Sequence, residues 1–153
     1  MTDVEFRRVS YGDPVAQDLV REVLADLGRR YGGSGDDTPV RPDEFQPPLG
    51  AFLVAFRSGQ PVACGGWRTA PGGAAEIKRM YVVPAARGHG IALALLRALE
   101  DSAREAGRIR AILETGTLQP EAIALYGKAG YRRIPDFGHY KDEPGVRSFG
   151  RDL

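Results

Sequence analysis

One short stretch of the chain combines residue types that suit the binding of a phosphate group. From Met80 to Leu96 the sequence reads MYVVPAARGHGIALALL, which is an apolar strand end, a proline break, a glycine-rich turn and an amphipathic helix. The turn carries Arg87, Gly88 and Gly90. Glycines let the backbone approach a ligand closely, and the free N–H groups at a helix start attract negative charge. The stretch therefore predicts an anion site.

The same turn excludes two better-defined phosphate motifs. A dinucleotide fingerprint, GxGxxG, needs a third glycine where this sequence has Leu93. A nucleotide-binding P-loop needs Gly-Lys followed by Ser or Thr, and the sequence contains no such triplet. The alternative is a strand-to-helix turn that binds nothing, since glycine turns are common.

Two glutamates are candidates for proton transfer. Glu76 lies on the strand that leads into the turn, and Glu114 ends a later apolar strand. An amine is mostly protonated near neutral pH, and a carboxylate can accept its proton directly or through water before the amine attacks. The non-catalytic alternatives are an ion pair of Glu76 with Lys78 or Arg79 and a strand-end cap at Glu114. We place Glu76 first as the base and give Glu114 a role in positioning the substrate.

The first half of the chain predicts a strand, a helix and a meander. Residues 4–9 alternate as a strand, and a helix runs from its N-cap Asp13 to Tyr31. A loop rich in glycine and proline follows, with a short helical turn at 43–45. Three further strands are predicted at 51–57, 61–69 and 75–83. In the last of them, simple alternation groups one face as Glu76, Lys78, Met80 and Val82 and the other as Ile77, Arg79, Tyr81 and Val83.

The second half of the chain predicts a parallel strand pair. A helix follows Gly90 and ends at Gly107, with a polar face made of Arg97, Glu100, Asp101, Arg104 and Glu105. The remaining elements are a strand at 109–113, a helix at 119–129 and strands at 131–134 and 146–151. The strand–helix–strand order makes 75–83 and 109–113 a right-handed parallel pair. The predicted fold class is a mixed α/β sheet, mostly antiparallel and flanked by helices, with a cleft where the parallel strands part.

Two segments of the sequence resemble the GCN5-related N-acetyltransferases (GNAT). EIKRMYVVPAARGHGIALALL is similar to the family signature Arg/Gln-x-x-Gly-x-Gly/Ala, matched here by Arg87, Gly90 and Ala92. LETGTLQPEAIALYGKAGY is similar to a later family segment, an Asn-x-x-Ala-x-x-Leu-Tyr helix before a Gly-aromatic strand start. The residues at those places are Gln119, Ala122, Leu125, Tyr126, Gly130 and Tyr131. The resemblance covers residues 75–134 and has its two segments in the family's order.

The resemblance implies a single GNAT domain over residues 1–153 that transfers an acetyl group from acetyl-CoA to a primary amine by direct attack in a ternary complex. The pantetheine arm would pair with the strand backbone at Met80, Tyr81, Val82 and Val83, where an N–H near Val82 would polarise the thioester carbonyl. The pyrophosphate would bind the N–H groups of Arg87, Gly88, His89, Gly90, Ile91 and Ala92. Gln119 replaces the family's usual Asn and would contact the pantetheine.

The family also implies a role for Tyr126 as the general acid that protonates the departing thiolate. The alternative for this residue is a tyrosine of the hydrophobic core. We expect Tyr31, Arg79, Tyr81 and His139 to contact the acceptor, with His139 in a turn-rich segment that closes over it. The acceptor would be a small-molecule amine or an amino terminus, selected by segments 32–48 and 135–145.

Composition limits the other function classes. The formal charge of +1 gives no overall attraction to nucleic acid or to an anionic membrane, and no apolar run approaches the length of a membrane span. Cys64 is the only cysteine, and the two histidines lie far apart, so we expect neither a disulfide nor a metal. We recognise no signal peptide and therefore expect a cytoplasmic protein. The resemblance to the family also implies that the protein could form a homodimer. The rival hypothesis is a non-catalytic acyl-CoA-binding module or sensor, which would not need Tyr126.

Overall fold

The computed structural model describes residues 3–153 as one seven-stranded sheet with helices on both faces. The strands are β1 (Glu5–Arg8), β2 (Gly50–Arg57), β3 (Gln60–Ala70), β4 (Ala74–Val82), β5 (Arg110–Gly116), β6 (Arg132–Arg133) and β7 (Val146–Asp152). The helices are α1 (Pro14–Tyr31), α2 (Ile91–Glu105) and α3 (Pro120–Lys128). The strand order is β1-β2-β3-β4-β5-β7-β6. The predicted mixed α/β architecture is confirmed.

The helix boundaries follow from local chemistry. The Asp13 carboxylate accepts the Val15 N–H at 3.0 Å and so caps α1, while Pro14 occupies the first helical position, where a missing N–H costs nothing. Gly32 ends α1 with φ 85°, a conformation that favours glycine. A 3-10 turn at Pro42–Phe45 confirms the predicted short helical turn. Within residues 3–153, no helix has the length and apolarity needed to cross a membrane.

The hydrophobic core lies in two layers, one on each face of the sheet. One layer packs α1 against residues such as Phe52, Val54 and Cys64. The other packs α2 against the opposite face, around Trp67 and the fully buried Leu95. Because both faces of the central strands are covered, the strands read as continuous apolar runs, which is why the hairpin β2–β3 could be predicted.

The parallel pair β4–β5 separates after three residue pairs. Ala74 pairs with Arg110, Ala75 with Ala111, and Glu76 with Ile112. Beyond this point β4 stays paired with β3 and β5 stays paired with β7, so each strand keeps one partner as the two diverge. The divergence opens the cleft that the element order predicts.

A β-bulge in β4 overturns the predicted alternation of that strand. Cys64 pairs with Tyr81 and Gly66 with Lys78, so a single residue of β3 faces both Arg79 and Met80. Arg79 takes a left-handed conformation with φ 60°, which is rare for a residue with a side chain. After the bulge the two faces exchange, because Met80 and Val82 join Ile77 in the α2 layer, whereas Tyr81 joins the α1 layer. The predicted grouping of Glu76 and Lys78 with Met80 and Val82 is therefore wrong.

Candidate active site

A cavity of about 420 Å³ occupies the cleft between the splayed strands. Its walls come from β4 and β5, from the C-terminal half of α1, and from Gln119 and Tyr126 near the two ends of α3. Two connecting segments, near Asp36 and near Tyr140, form its roof. Clefts where sheet strands part are common ligand sites, and this volume suits a small molecule.

Tyr126 of α3 lines this cavity, as the sequence predicts. Its ring is 8% exposed and packs against Tyr131 and Phe149, with ring centroids 5.9 and 6.2 Å away. Burial raises the pKa of Tyr126 to about 12, so the hydroxyl keeps its proton at neutral pH. The residue is thus a core tyrosine that also borders the cleft and carries a proton there.

Glu114 lies on β5 and lines the cavity. One carboxylate oxygen, Oε2, accepts the Tyr140 N–H at 3.2 Å, and Oε1 is buried without a hydrogen-bond partner among the described residues. Burial raises the pKa of Glu114 above its usual range, and the charge of Lys78 offsets part of that effect. A carboxylate with an unused oxygen and a raised pKa is well suited to accept a proton from a bound amine.

Glu76 occupies a different environment from the one we predicted. Its carboxylate accepts the Arg68 Nε–H at 3.0 Å in a buried ion pair, and Arg68 also contacts Glu44 at 3.3 Å. Glu76 does not appear among the residues that line the cavity. This carboxylate is already paired with Arg68 and lies outside the cavity, whereas Glu114 lines it, so the geometry gives no support to the predicted order that put Glu76 before Glu114.

The glycine turn has the geometry of an anion site. Gly88 and Gly90 have φ values of 81° and 77°, and open space surrounds the position where a side chain would begin at Gly88. Gly90 is the N-cap of α2 and supplies no side chain to bond the first N–H groups of the helix. These N–H groups are therefore available to an anion at the positive end of a 15-residue helix.

The backbone of β4 presents a free edge beside the turn. The Val83 N–H donates to Val62 O at 2.9 Å, so Val83 faces β3. Val82, one residue earlier, directs its N–H and C=O to the opposite edge, toward the cleft. Its carbonyl accepts the Arg87 Nε–H at 2.9 Å, and the Arg87 guanidinium carbon lies 5.5 Å from the centre of the Tyr81 ring. Arg87 is exposed and sits at this edge.

Gln119 and Tyr31 meet at one end of the cavity, which both line. The Tyr31 hydroxyl donates to Gln119 Oε1 at 3.0 Å and joins the end of α1 to the start of α3. The Gln119 N–H donates to Gly116 O at 2.9 Å, so the residue is held from its backbone as well. A side chain added at Gly116 would overlap the Tyr31 ring, which shows how closely the phenol covers β5.

The remaining predicted acceptor residues divide into two groups. Arg79 is buried and lines the cavity, as expected. Tyr81 is buried in the α1 layer of the core, because the bulge at Arg79 exchanges the faces of β4. His139 is exposed and rests edge-on against Tyr140, with ring centroids 4.8 Å apart. Tyr81 and His139 do not line the cavity, whereas Tyr140 does, so the geometry gives no support to the predicted acceptor contacts of Tyr81 and His139.

Sequence reasoning missed a polar cluster that joins the roof of the cavity to β4. It is formed by Asp36, Lys78, Arg79 and Tyr140. Asp36 pairs with Lys78 Nζ at 3.3 Å and with the Arg79 guanidinium, and it accepts the Tyr140 hydroxyl at 2.8 Å. Burial alone would raise the pKa of Asp36, but the two cations outweigh it and hold the pKa well below its usual range. The clue available in the sequence was that both loops are long and polar, which says nothing about which residues meet. No group of residues suited to binding a metal occurs among residues 3–153.

Comparisons with known proteins agree with this geometry. A sequence profile described as the Acetyltransferase (GNAT) family matches residues 18–131. A protein of Azospirillum brasilense named IAA acetyltransferase is 40% identical over 136 residues, which are 84% of this chain and 86% of that protein.

Solved structures share the fold over nearly the whole chain. A Klebsiella pneumoniae structure, provisionally named an acyl-CoA N-acyltransferase, superposes with a TM-score of 0.81 and 28% identity, over 98% of this chain and 97% of that one. A GNAT-family acetyltransferase of Elizabethkingia anophelis with acetyl-CoA bound has a TM-score of 0.72 and 16% identity, over all of both chains. Because the profile match extends over well more than half of the sequence, the chain belongs to the Acetyltransferase (GNAT) family.

Proposed function

We propose that this acetyltransferase moves the acetyl group of acetyl-CoA to a primary amine on a small molecule. The observation that carries the proposal is the placement of Tyr126 and Glu114 on the same cavity, beside the free edge of β4. A proton donor and a proton acceptor on either side of a reacting centre are what direct transfer to an amine requires.

The geometry supports a sequence of roles for the residues. The N–H groups at the start of α2 hold the pyrophosphate, and the free edge of β4 aligns the pantetheine arm. The Val82 N–H is placed to donate to the thioester carbonyl oxygen as negative charge develops there. Glu114 takes one proton from the ammonium form of the amine, and the neutral nitrogen bonds to the carbonyl carbon. Tyr126 gives its proton to the sulfur as the carbon–sulfur bond breaks, and the second proton that the nitrogen loses restores the tyrosine.

A thiol-release assay tests this proposal. The purified protein is mixed with acetyl-CoA and a panel of primary amines, to which IAA is added because the Azospirillum relative carries that name. Free coenzyme A should appear together with an acetylated product identified by mass spectrometry. Binding of acetyl-CoA without transfer to any acceptor would instead favour the rival hypothesis, a non-catalytic acyl-CoA-binding module.

The anion site can be tested with two substitutions of equal size. Gly90→Asp and Gly90→Asn both place a short polar side chain at φ 77°, a conformation that these two residues tolerate better than others. The aspartate adds a negative charge next to the pyrophosphate site, so we expect it to weaken coenzyme A binding about tenfold more than the asparagine does. Isothermal titration calorimetry gives the affinities, and equal losses in the two variants would contradict an anion site at this turn.

Glu114→Gln tests the identity of the base. Because Glu114 must be ionised to accept a proton and its pKa is raised, kcat/KM of the wild type should fall as the pH drops through that raised pKa. The glutamine variant should lose about 10²-fold in kcat/KM at neutral pH and lose this acidic limb of the profile. Glu76→Gln is the matched variant outside the cavity. If the pH profile of kcat/KM keeps its acidic limb in the Glu114→Gln variant and loses it in the Glu76→Gln variant, Glu76 is the base.

A further inference from the structure

The charged side chains around the cavity are separated into two groups on diverging strands. Glu76 and Ile112 are the last paired residues of β4 and β5. Lys78 and Glu114 each lie two residues further along, on the same face of the sheet. They therefore lie just beyond the end of the pairing, on the two strands that diverge around the cavity.

The Lys78 side of the cavity carries more positive than negative charge. Lys78 and Arg79 are both 8% exposed and share one carboxylate, that of Asp36. This carboxylate also accepts the hydroxyls of Thr38, at 2.6 Å, and Tyr140, so it has little capacity left. The Arg79 Nε–H is buried and has no hydrogen-bond partner among the described residues. Lys78 and Arg79 are thus two buried cations that share one carboxylate, whose oxygens already accept other hydrogen bonds. This side of the cavity could therefore bind a second anion.

The Glu114 side has the opposite character. No arginine or lysine of residues 3–153 lies within ion-pair distance of the Glu114 carboxylate, whose Oε1 is buried and unused. The other acid on this part of the cavity, Glu143, is exposed to solvent at the mouth, where water screens its charge. A cationic amine would therefore find its closest buried counter-charge at Glu114.

Apolar side chains, most of them from the two core layers, also line the cavity. They come from α1, β4, β5 and β7, and they are Val23, Leu27, Ile77, Leu113 and Val146. At about 420 Å³ the cavity lies near the lower end of the range of roughly 300–1,000 Å³ found for small-molecule sites. The space suits an acceptor of modest size with an apolar portion.

We infer that the acceptor is an α-amino acid with an apolar side chain, whose carboxylate binds between Lys78 and Arg79 and whose amine faces Glu114. This inference rests on the proposed function, because it names the substrate class of the same site. In the reaction, the cationic amine gives one proton to Glu114 and the neutral nitrogen bonds to the acetyl carbon. The nitrogen loses a second proton as the amide forms, and this proton restores the Tyr126 hydroxyl after it has protonated the sulfur. The thioester carbon–sulfur bond breaks, the sulfur receives the Tyr126 proton, and the products are an N-acetyl amino acid and coenzyme A.

The charge separation argues against two other classes of amine. A polyamine would bring a second cation toward Lys78 and Arg79, which repel it. A peptide amino terminus carries a neutral amide where the amino acid has its carboxylate, so the excess positive charge would stay uncompensated. Both classes serve as comparison substrates.

Matched pairs of acceptors test the inference. Leucine, methionine and phenylalanine are each compared with their own amide in the thiol-release assay, and spermidine is included. We expect at least one acid to exceed its amide about tenfold or more in kcat/KM, since the amide lacks one buried ion pair. Lys78→Met, which keeps the chain length and removes the charge, should bring this ratio close to one, and Lys78→Arg should retain most of it. Equal or faster transfer to the amides, or to spermidine, overturns the inference and leaves acetyl transfer intact.

A binding measurement separates failure of the inference from failure of the proposed function. If no amine releases thiol, the proposed function fails, and the acids and amides are then titrated into the protein saturated with coenzyme A. Binding of an acid and not of its amide, lost in Lys78→Met and kept in Lys78→Arg, still supports an amino-acid site. No difference between acid and amide in either assay overturns it.

Discussion

Replacing Tyr126 with phenylalanine is expected to lower kcat by about 10²-fold or more while leaving the affinity for coenzyme A within about twofold. Tyr126 lines the cavity, and burial raises the pKa of its hydroxyl to about 12, so the residue holds a proton at the pH of the assay. Phenylalanine keeps the ring that packs on Tyr131 and Phe149 and removes only the hydroxyl group. The effect should therefore appear in turnover and not in folding or binding.

A second buried tyrosine provides the control for Tyr126→Phe. Tyr11 is also 8% exposed, but it belongs to the α1 layer of the core and does not line the cavity. Tyr11→Phe should keep kcat close to the wild-type value. Steady-state thiol release measures kcat, and calorimetric titration with coenzyme A measures affinity. A Tyr126→Phe variant with normal kcat would return this tyrosine to a purely structural role.

The element order could be predicted because local signals mark it. Asp13 and Pro14 start α1, Gly90 precedes α2, and Gly107 follows it. These residues act through their own backbone conformation or, for Asp13, through a hydrogen bond to a residue two positions away, and both depend little on the rest of the chain. The strand–helix–strand order then leaves few topologies, so the parallel pair and its cleft could also be anticipated.

The face of each β4 side chain could not be predicted, because it depends on one left-handed residue. Alternation assumes that every residue in a strand has β geometry, and Arg79 breaks this with φ 60°. An arginine gives no sign of such a conformation, which glycine would. The bulge is what sends Tyr81 to the α1 layer and Met80 to the cavity.

The partners of the charged residues also needed the tertiary structure. The Asp36–Tyr140 hydrogen bond joins two loops that are 104 residues apart in the chain. Glu76 and Glu114 look equivalent in the sequence, and only the position of Arg68 decides which of them is already paired. Packing between distant segments sets such contacts, whereas periodicity reports only on neighbours in the chain.

Glu100 shows the same limit, and it carries the second large expected effect. The helical pattern places Glu100 on the polar face of α2, yet the residue is 1% exposed. Its carboxylate accepts hydrogen bonds from the guanidinium groups of Arg97 and Arg151, both at 2.8 Å, and from the Tyr131 hydroxyl at 2.7 Å. Arg97 also donates to Ala129 O at 3.1 Å, so the cluster ties α2 to the end of α3.

Glu100→Ala is expected to lower the free energy of unfolding by about 3 kcal/mol. The change leaves two guanidinium groups without their counter-charge and the buried Tyr131 hydroxyl without its acceptor. We choose the lower end of the range known for broken buried ion pairs, because the Arg97 and Arg151 side chains are 41% and 32% exposed and keep contact with water. For a chain of this length the loss corresponds to a fall of about 6–12 °C in Tm.

The adjacent residue supplies the matched control for Glu100→Ala. Asp101 follows Glu100 on α2 and pairs with Arg104 at 2.8 Å, but its side chain is 69% exposed. Because water screens that pair, Asp101→Ala should cost less than about 1 kcal/mol. Urea unfolding measures both variants, and Glu100→Gln, which keeps the shape of the side chain and can still accept the Tyr131 hydroxyl, should fall between them. Equal losses for Glu100→Ala and Asp101→Ala would mean that the buried cluster adds no more to stability than an exposed ion pair, and that packing alone joins α2 to α3.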